Sequence, residues 1–210
     1  MPVKRPSPRK ATARPFRKDP ATQGILDTAY KLQKAGSLQQ AELLYQKVLL
    51  AEPGNPFVLY ALGTIALNRG EAATAVPLLQ KALASGYKDE TVYTHLGIAL
   101  QAAGRGEEAM EVYRAGMKQD PKNPRYHSNA AVVLAQKGDH ESALAEAKIA
   151  LKLNPKFAAA AMNAGFFLQE LNRLPEAIEM FDRTLLYDPN NATVRDALKL
   201  AKQRLNTQGA

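Results

Sequence analysis

The side chains best suited to catalysis or metal binding are few and scattered in this chain. The three histidines, His95, His127 and His140, do not cluster in the sequence, and there is no cysteine. Catalysis needs a nucleophile or an acid–base group with an orienting partner, and no such set occurs at a recognised spacing. The sequence also has no phosphate-binding loop, dinucleotide fingerprint or metal-ligand motif. We therefore predict a protein that is not an enzyme and uses no metal or cofactor.

Basic side chains can bind phosphate groups, and here they are concentrated at the ends of the chain. The net charge is +8, of which residues 1–20 contribute +6 and residues 191–210 contribute +3, so the segment between them is close to neutral. Residues 1–20 also contain five prolines and few large apolar groups, which predicts a disordered basic arm. One hypothesis is that the arm binds nucleic acid or another anionic surface through phosphate contacts made by Lys4-Arg5-Pro6-Ser7-Pro8-Arg9-Lys10. The alternative is a solvated tail.

A repeat of 34 residues organises the rest of the chain. Alanine recurs at that spacing in five places: Ala41, Ala75, Ala109, Ala143 and Ala177. A residue that tolerates the left-handed backbone recurs with it, at Gly36, Gly70, Gly104, Gly138 and Asn172. Apolar residues between these positions follow the 3.6-residue period of a helix. Each repeat is therefore predicted to be a helix, a tight turn and a second helix.

These signals divide the chain into an arm, five helix pairs and a last helix. The helix pairs are predicted over residues 22–55, 56–89, 90–123, 124–157 and 158–191, within an array spanning 21–189. Proline closes four of the repeats, whereas Tyr87 stands at that place in the second, where we expect a looser junction. Residues 191–205 are predicted to form a helix that caps the array, and residues 206–210 a disordered tail. The fold class is all-α, a solenoid of tandem antiparallel helix pairs.

The pattern resembles the tetratricopeptide repeat family. The family motif W-x2-L-G-x2-Y, then A-x3-F, then P is matched by the five alanines, by Leu62-Gly63, Leu96-Gly97 and Ala164-Gly165, and by Pro53, Pro121, Pro155 and Pro189. The tryptophan position departs from it, since the chain has no tryptophan. The resemblance implies a right-handed superhelix whose concave groove is lined by the first helix of each pair.

Carrying the family's register onto this chain predicts the groove residues. The candidates share positions on first helices: Leu26, Tyr30, Phe57, Tyr60, Thr64, Thr94, His95, Ile98, Arg125, Asn129, Val132, Met162, Asn163 and Phe166. The set that clamps a C-terminal carboxylate in some relatives is lacking, which disfavours that mode. Asn129 and Asn163, with His95 as a possible third member, partly resemble an asparagine ladder that grips an extended peptide in other relatives.

The resemblance implies a scaffold that binds a protein or peptide in this groove, and we predict a cytoplasmic location from the lack of cysteine, of a secretory signal and of a membrane span. A further possibility is a recognition subunit of a glycosyltransferase or secretion assembly. For Tyr30, Phe57, Tyr60 and Phe166 the alternative is packing against neighbouring helices, and for the two asparagines a surface position without function. We expect His127 to pack in the core and His140 to be solvated.

Overall fold

The computed structural model describes residues 20–87 and 89–208, and these divide into two compact units, one ending at Ala51 and one beginning at Glu52. The described residues form eleven α-helices and no strand. In the first unit these are α1 (Pro20–Lys34) and α2 (Leu38–Ala51). The second unit holds α3 (Pro56–Asn68), α4 (Ala72–Ala84), α5 (Thr91–Ala102), α6 (Gly106–Gln119), α7 (Pro124–Gln136), α8 (His140–Leu153), α9 (Ala158–Glu170), α10 (Leu174–Tyr187) and α11 (Ala192–Gln208).

The first unit is one helix pair, closed by the packing of α1 on α2. Ala29, Ala41 and Tyr45 are fully buried between the two helices. The hydroxyl of Tyr45 donates a hydrogen bond of 2.8 Å to Oε1 of Gln33. Burial raises the pKa of Tyr45 to about 12, because a phenolate would lose its solvation there.

The predicted turns are confirmed by the backbone. At the turn position of all five repeats φ is positive, from 74° to 82° at Gly36, Gly70, Gly104 and Gly138 and 56° at Asn172. Asparagine is among the few residues other than glycine that adopt this left-handed conformation readily. Within the part that the structure describes, Asn172 is the one such exception, and its Oδ1 accepts a hydrogen bond of 3.3 Å from Nε2 of Gln208.

Asparagine and proline together start two of the first helices in the second unit. Oδ1 of Asn55 accepts a hydrogen bond from the backbone N–H of Val58, and proline follows as the first helical residue. Asn123 accepts from the N–H of Arg125 in the same way, again before a proline. A side-chain acceptor satisfies an otherwise unpaired N–H, and proline has no N–H to satisfy at this position. At these two junctions the sequence therefore specifies where the next first helix begins.

Close packing within each pair depends on a small residue facing a large one. A Cβ atom at Gly97 would overlap the ring of Tyr113, and one at Gly165 would lie 2.5 Å from Cε1 of Phe181. Both rings are fully buried, because the glycine lets each ring lie against the backbone of the facing helix. The repeated alanines are equally buried. This is why the small residues recur with the 34-residue period.

The last helix packs on the fifth pair and is longer than the sequence predicts. Val194 and Ala201 are buried where α11 packs on α10, with Ala197 and Leu198 half-buried beside them. The helix continues to Gln208, so the prediction of a disordered tail is wrong for residues 206–208. No helix in the described ranges is both long and apolar enough to cross a membrane. Residues 1–19, 88, 209 and 210, which include nearly all of the predicted arm, lie outside the described residues.

Candidate functional site

First helices of successive pairs are neighbours in the second unit, and this brings their predicted site residues onto one surface. Helix α3 contacts α5, α5 contacts α7, and α7 contacts α9. We call the surface formed by the predicted site residues of these four helices the first-helix face. The candidates Leu26 and Tyr30 belong to α1, in the first unit, and are therefore not part of this face. Leu26 is half-buried. Tyr30 is 46% exposed, and Nζ of Lys34 lies 5.5 Å from the centre of its ring.

Two rows of side chains run across the first-helix face at the repeat spacing. The apolar row is Ile98, Val132 and Phe166, on α5, α7 and α9. The polar row lies three residues before it on each helix and is His95, Asn129 and Asn163. Ile98 is 37% exposed and the other five are half-buried. The structure therefore keeps six predicted residues accessible in a regular arrangement.

Some candidates are held by contacts within the chain. The ring of Phe166 meets that of Phe181 edge to face, with centroids 5.1 Å apart. Nδ2 of Asn163 lies 3.4 Å from Oγ of Ser128, and Nδ2 of Asn191 lies 3.8 Å from Sδ of Met162. These contacts leave Met162, Asn163 and Phe166 half-buried, so each offers only part of its surface to a partner.

Thr64 and Thr94 are corrections to the predicted lining. Thr64 is only 8% exposed, and its hydroxyl donates a hydrogen bond of 2.8 Å to the carbonyl of Ala61. Thr94 is 6% exposed, and its Oγ1 has no hydrogen-bond partner among the described residues. The register places both on first helices correctly, but both lie too deep to provide a contact surface.

A hydrogen-bonded cluster on α3 and α5 is the most ordered part of the face. The hydroxyl of Tyr60 lies 2.8 Å from Oγ1 of Thr91 and 2.9 Å from Nδ1 of His95. Oδ1 of Asp89 accepts from the backbone N–H of Thr91 at 2.9 Å and from its hydroxyl at 2.6 Å. The ring of Tyr87 stacks on Tyr60 with centroids 4.3 Å apart.

Sequence reasoning missed Tyr87 and Asp89 as members of this cluster. The signal was Tyr87 itself, which stands where four repeats have proline. This departure from proline predicts a looser junction, whereas in the structure Tyr87 supplies a ring on which Tyr60 stacks. Tyr60 is therefore held in place at both its ring and its hydroxyl, and Phe57, on the same helix, is half-buried and has contacts of its own.

Arg125 gives the face its positive charge. It is exposed, and no carboxylate in the described segments lies within ion-pair distance of it. Burial, followed by the positive charge of Arg125, lowers the pKa of His95 from its ordinary value, while Asp89 opposes this change. His95 therefore lies in the electrostatic reach of two opposite charges.

The two other histidines take no part in the site. Nδ1 of His127 lies 2.7 Å from Oε2 of Glu146 and the residue is half-buried, which agrees with a structural role. His140, which we expect to be solvated, is half-buried, and its Nδ1 is buried with no partner in the described part of the chain. Within residues 20–87 and 89–208 no group of three or more histidine or acidic side chains could hold a metal ion.

Comparison with known proteins identifies the family. Family models described as tetratricopeptide repeat match residues 66–131 and 134–201, and a second such model matches residues 26–90. The chain belongs to the tetratricopeptide repeat family, which confirms the predicted fold class, a solenoid of helix pairs. No curated protein sequence matches the chain.

Solved structures share this fold at low sequence identity. A thermophilic TPR protein of Thermus thermophilus is 22% identical with a TM-score of 0.70, over 87% of this chain and 99% of that one. YrrB, described as a TPR protein with an unusual peptide-binding site, is 20% identical with a TM-score of 0.65, over 83% and 90%. The first TPR of Spaghetti (RPAP3), bound to the HSP90 peptide SRMEEVD, is 27% identical with a TM-score of 0.55, over 56% and 95%.

Proposed function

We propose that this protein is a non-catalytic scaffold that binds an extended segment of a partner protein across the first-helix face of α5, α7 and α9. The observation that carries the proposal is the pair of parallel rows, apolar and polar, that repeat from helix to helix. An extended peptide presents side chains and backbone N–H and C=O groups at regular intervals, and two parallel rows of opposite polarity suit both. The family is associated with protein and peptide partners, and two of the structures similar to this chain have peptide sites in their descriptions.

Affinity in this proposal comes from the apolar row and register from the polar row. Ile98 is the most exposed member of the apolar row, so a partner side chain that covers it removes apolar surface from water. The amides of Asn129 and Asn163 can both donate to and accept from a peptide backbone. Few charges lie on this face, so binding should persist at high salt, unlike binding through a basic arm.

The test uses peptides selected from a phage-displayed library of random 12-residue sequences on the full chain. Dissociation constants are then measured for the wild type and for Ile98→Asp. We expect Ile98→Asp to raise the dissociation constant by at least about tenfold. The substitution removes the apolar contact of the isoleucine and places a carboxylate there instead. Ile149→Asp is the matched control, because Ile149 lies on the second helix α8 and is 40% exposed against 37% for Ile98. Equal effects of the two substitutions would refute the proposed location.

The basic arm remains a separate prediction. Deleting residues 1–20 should leave peptide binding to the first-helix face unchanged, while any salt-sensitive binding of nucleic acid should disappear. The cytoplasmic location likewise remains a prediction, as does a role in a glycosyltransferase or secretion assembly.

A further inference from the structure

The cluster around Tyr60 fixes the position of a proton on His95, because each hydroxyl in it has only one proton to donate. The carboxylate of Asp89 accepts the hydroxyl proton of Thr91 over 2.6 Å. Oγ1 of Thr91 must then be the acceptor in its contact of 2.8 Å with Tyr60. Tyr60 has thereby used its own proton, and burial raises its pKa, so it keeps that proton. Its oxygen is left as the acceptor toward Nδ1 of His95, 2.9 Å away.

The proton of neutral His95 is therefore on Nδ1, and Nε2 has a free lone pair. In a neutral imidazole one nitrogen donates and the other accepts. Nε2 has no hydrogen-bond partner in the described ranges, and it is not among the fully buried unpaired atoms there, so it is at least partly open to solvent. The described chain thus presents a bare acceptor at this point of the polar row.

The surroundings of His95 favour the neutral ring. Tyr60 on α3, Asp89 ahead of α5 and Arg125 on α7 are the titratable or charged groups that act on it; in the described residues no charge from α4 or α6 contributes. Removal of the ring from water has the largest effect, and Arg125 adds to it by repelling a second positive charge, whereas Asp89 and a backbone hydrogen bond with Thr91 act in the opposite direction. Asp89, which attracts one, is already engaged by two hydrogen bonds from Thr91.

We infer that Nε2 of His95 is a specificity-determining acceptor for an N–H group of the bound peptide, and that protonation of the ring releases that peptide. The inference rests on the proposed function, and it adds the chemistry of one contact and its regulation by pH. A protonated ring carries a hydrogen on Nε2, so it meets an N–H donor with another donor. Below the pKa of His95 the dissociation constant should rise by about tenfold for each pH unit, as for one proton linked to binding.

The tautomer is tested first, in the free full-length protein. Long-range ¹H–¹⁵N NMR at pH 8 distinguishes a protonated from an unprotonated ring nitrogen, and His95→Asn assigns the signal among the three histidines. We expect the proton on Nδ1 in the wild type and a mixture of tautomers in Tyr60→Phe, which lacks the accepting oxygen. A wild-type proton on Nε2 would overturn the inference.

The contact is tested with library-selected peptides that contain no histidine and whose binding is sensitive to Ile98→Asp. His95→Asn retains a side-chain amide near the Nδ1 position but has no atom near Nε2, whereas the longer amide of His95→Gln reaches it. We expect about tenfold weaker binding for His95→Asn, a smaller loss for His95→Gln, and no pH dependence between pH 5 and 8 in either. Wild-type affinity or an unchanged pH profile in His95→Asn would overturn the inference and leave the proposed function standing.

The source of the N–H group is resolved in the same assay. N-methylation of single peptide bonds removes one backbone donor at a time, and replacement of asparagine, glutamine or lysine in the peptide removes side-chain donors. The peptide change that abolishes the pH dependence identifies the donor to Nε2. If no selected peptide is sensitive to Ile98→Asp, the proposed function fails and the contact to a peptide fails with it, whereas the tautomer result is unaffected.

Discussion

Gln169 in the fifth repeat has a buried side-chain oxygen that, among the described residues, lacks the hydrogen bond its counterparts make, and a single substitution should supply it. A tyrosine donates to the Oε1 atom of a glutamine twelve residues earlier in two helix pairs: Tyr45 to Gln33 at 2.8 Å and Tyr113 to Gln101 at 2.5 Å. The same positions in the fifth repeat hold Gln169 and a phenylalanine. Oε1 of Gln169 is buried and, over the described part of the chain, unpaired.

We expect Phe181→Tyr to stabilise the protein by about 1 kcal/mol. Leaving a buried acceptor unpaired costs roughly 1–3 kcal/mol, and a typical buried hydrogen bond is worth about 0.5–1.5 kcal/mol net. The gain is at the lower end because the new hydroxyl must itself be desolvated. Both rings lie against a glycine of the facing helix, Phe181 against Gly165 and Tyr113 against Gly97, so we expect the added hydroxyl to be accommodated as that of Tyr113 is.

Equilibrium unfolding in urea measures the effect. With a slope of about 2 kcal/mol per molar, the midpoint should rise by roughly 0.5 M. Tyr113→Phe is the reverse control and should lower the midpoint by a similar or larger amount, because it leaves Gln101 unpaired. Gln169→Leu should be close to neutral in the wild type and destabilising in Phe181→Tyr. A Phe181→Tyr variant that is less stable, or a Gln169→Leu effect equal in both backgrounds, would refute this reasoning.

Three further predictions follow from the packing and the ionisable groups. Gly97→Ala should lower the free energy of unfolding by about 1–3 kcal/mol, because the new Cβ overlaps the facing ring of Tyr113. Gly106→Ala is the control: its Cβ would lie 3.5 Å from the nearest neighbour, and the free energy of unfolding in urea should rise by up to about 1 kcal/mol. Because folding lowers the pKa of His95, the free energy of unfolding should rise with pH between the folded pKa and the unfolded pKa of about 6.5. The urea midpoint of the wild type minus that of His95→Gln should therefore increase with pH in this range. A difference that does not change with pH would contradict the lowered pKa of His95. Because the pKa values of Tyr45 and Tyr126 are raised to about 12, the stability that these residues contribute should be lost as the pH rises from about 10 to 12. Absorbance at 295 nm should show that both ionise above pH 10, together with unfolding.

The sequence contained most of the fold because each repeat is built from local signals. Three kinds of residue act within one helix pair: the turn residues with left-handed backbone, the repeated alanines and the glycines that face aromatic rings. Their spacing therefore predicts the helix pair directly from the sequence. Asn172 shows this well, since its φ of 56° follows from its register alone. The end of α11 was predicted three residues too early, at residue 205. No glycine or proline lies between residue 205 and Gln208, so the sequence has no local signal that fixes this end.

The candidate site was only partly predictable, because it depends on contacts between repeats. Tyr60 and His95 are 35 residues apart, and only the packing of α3 on α5 brings them to 2.9 Å. The burial of Thr64 and Thr94 depends in the same way on how closely neighbouring helices approach. The identity of the ligand is not encoded in the repeat at all, since one fold supports many partners.

The most direct test of a partner bound on the first-helix face is photo-crosslinking in native lysate at high salt. A benzoylphenylalanine placed at Ile98 should crosslink a discrete protein, and the same group at Ile149, which is equally exposed on α8, should not. Crosslinks from position 149 alone, or from neither position while nucleic acid is retained through residues 1–20, would contradict the account.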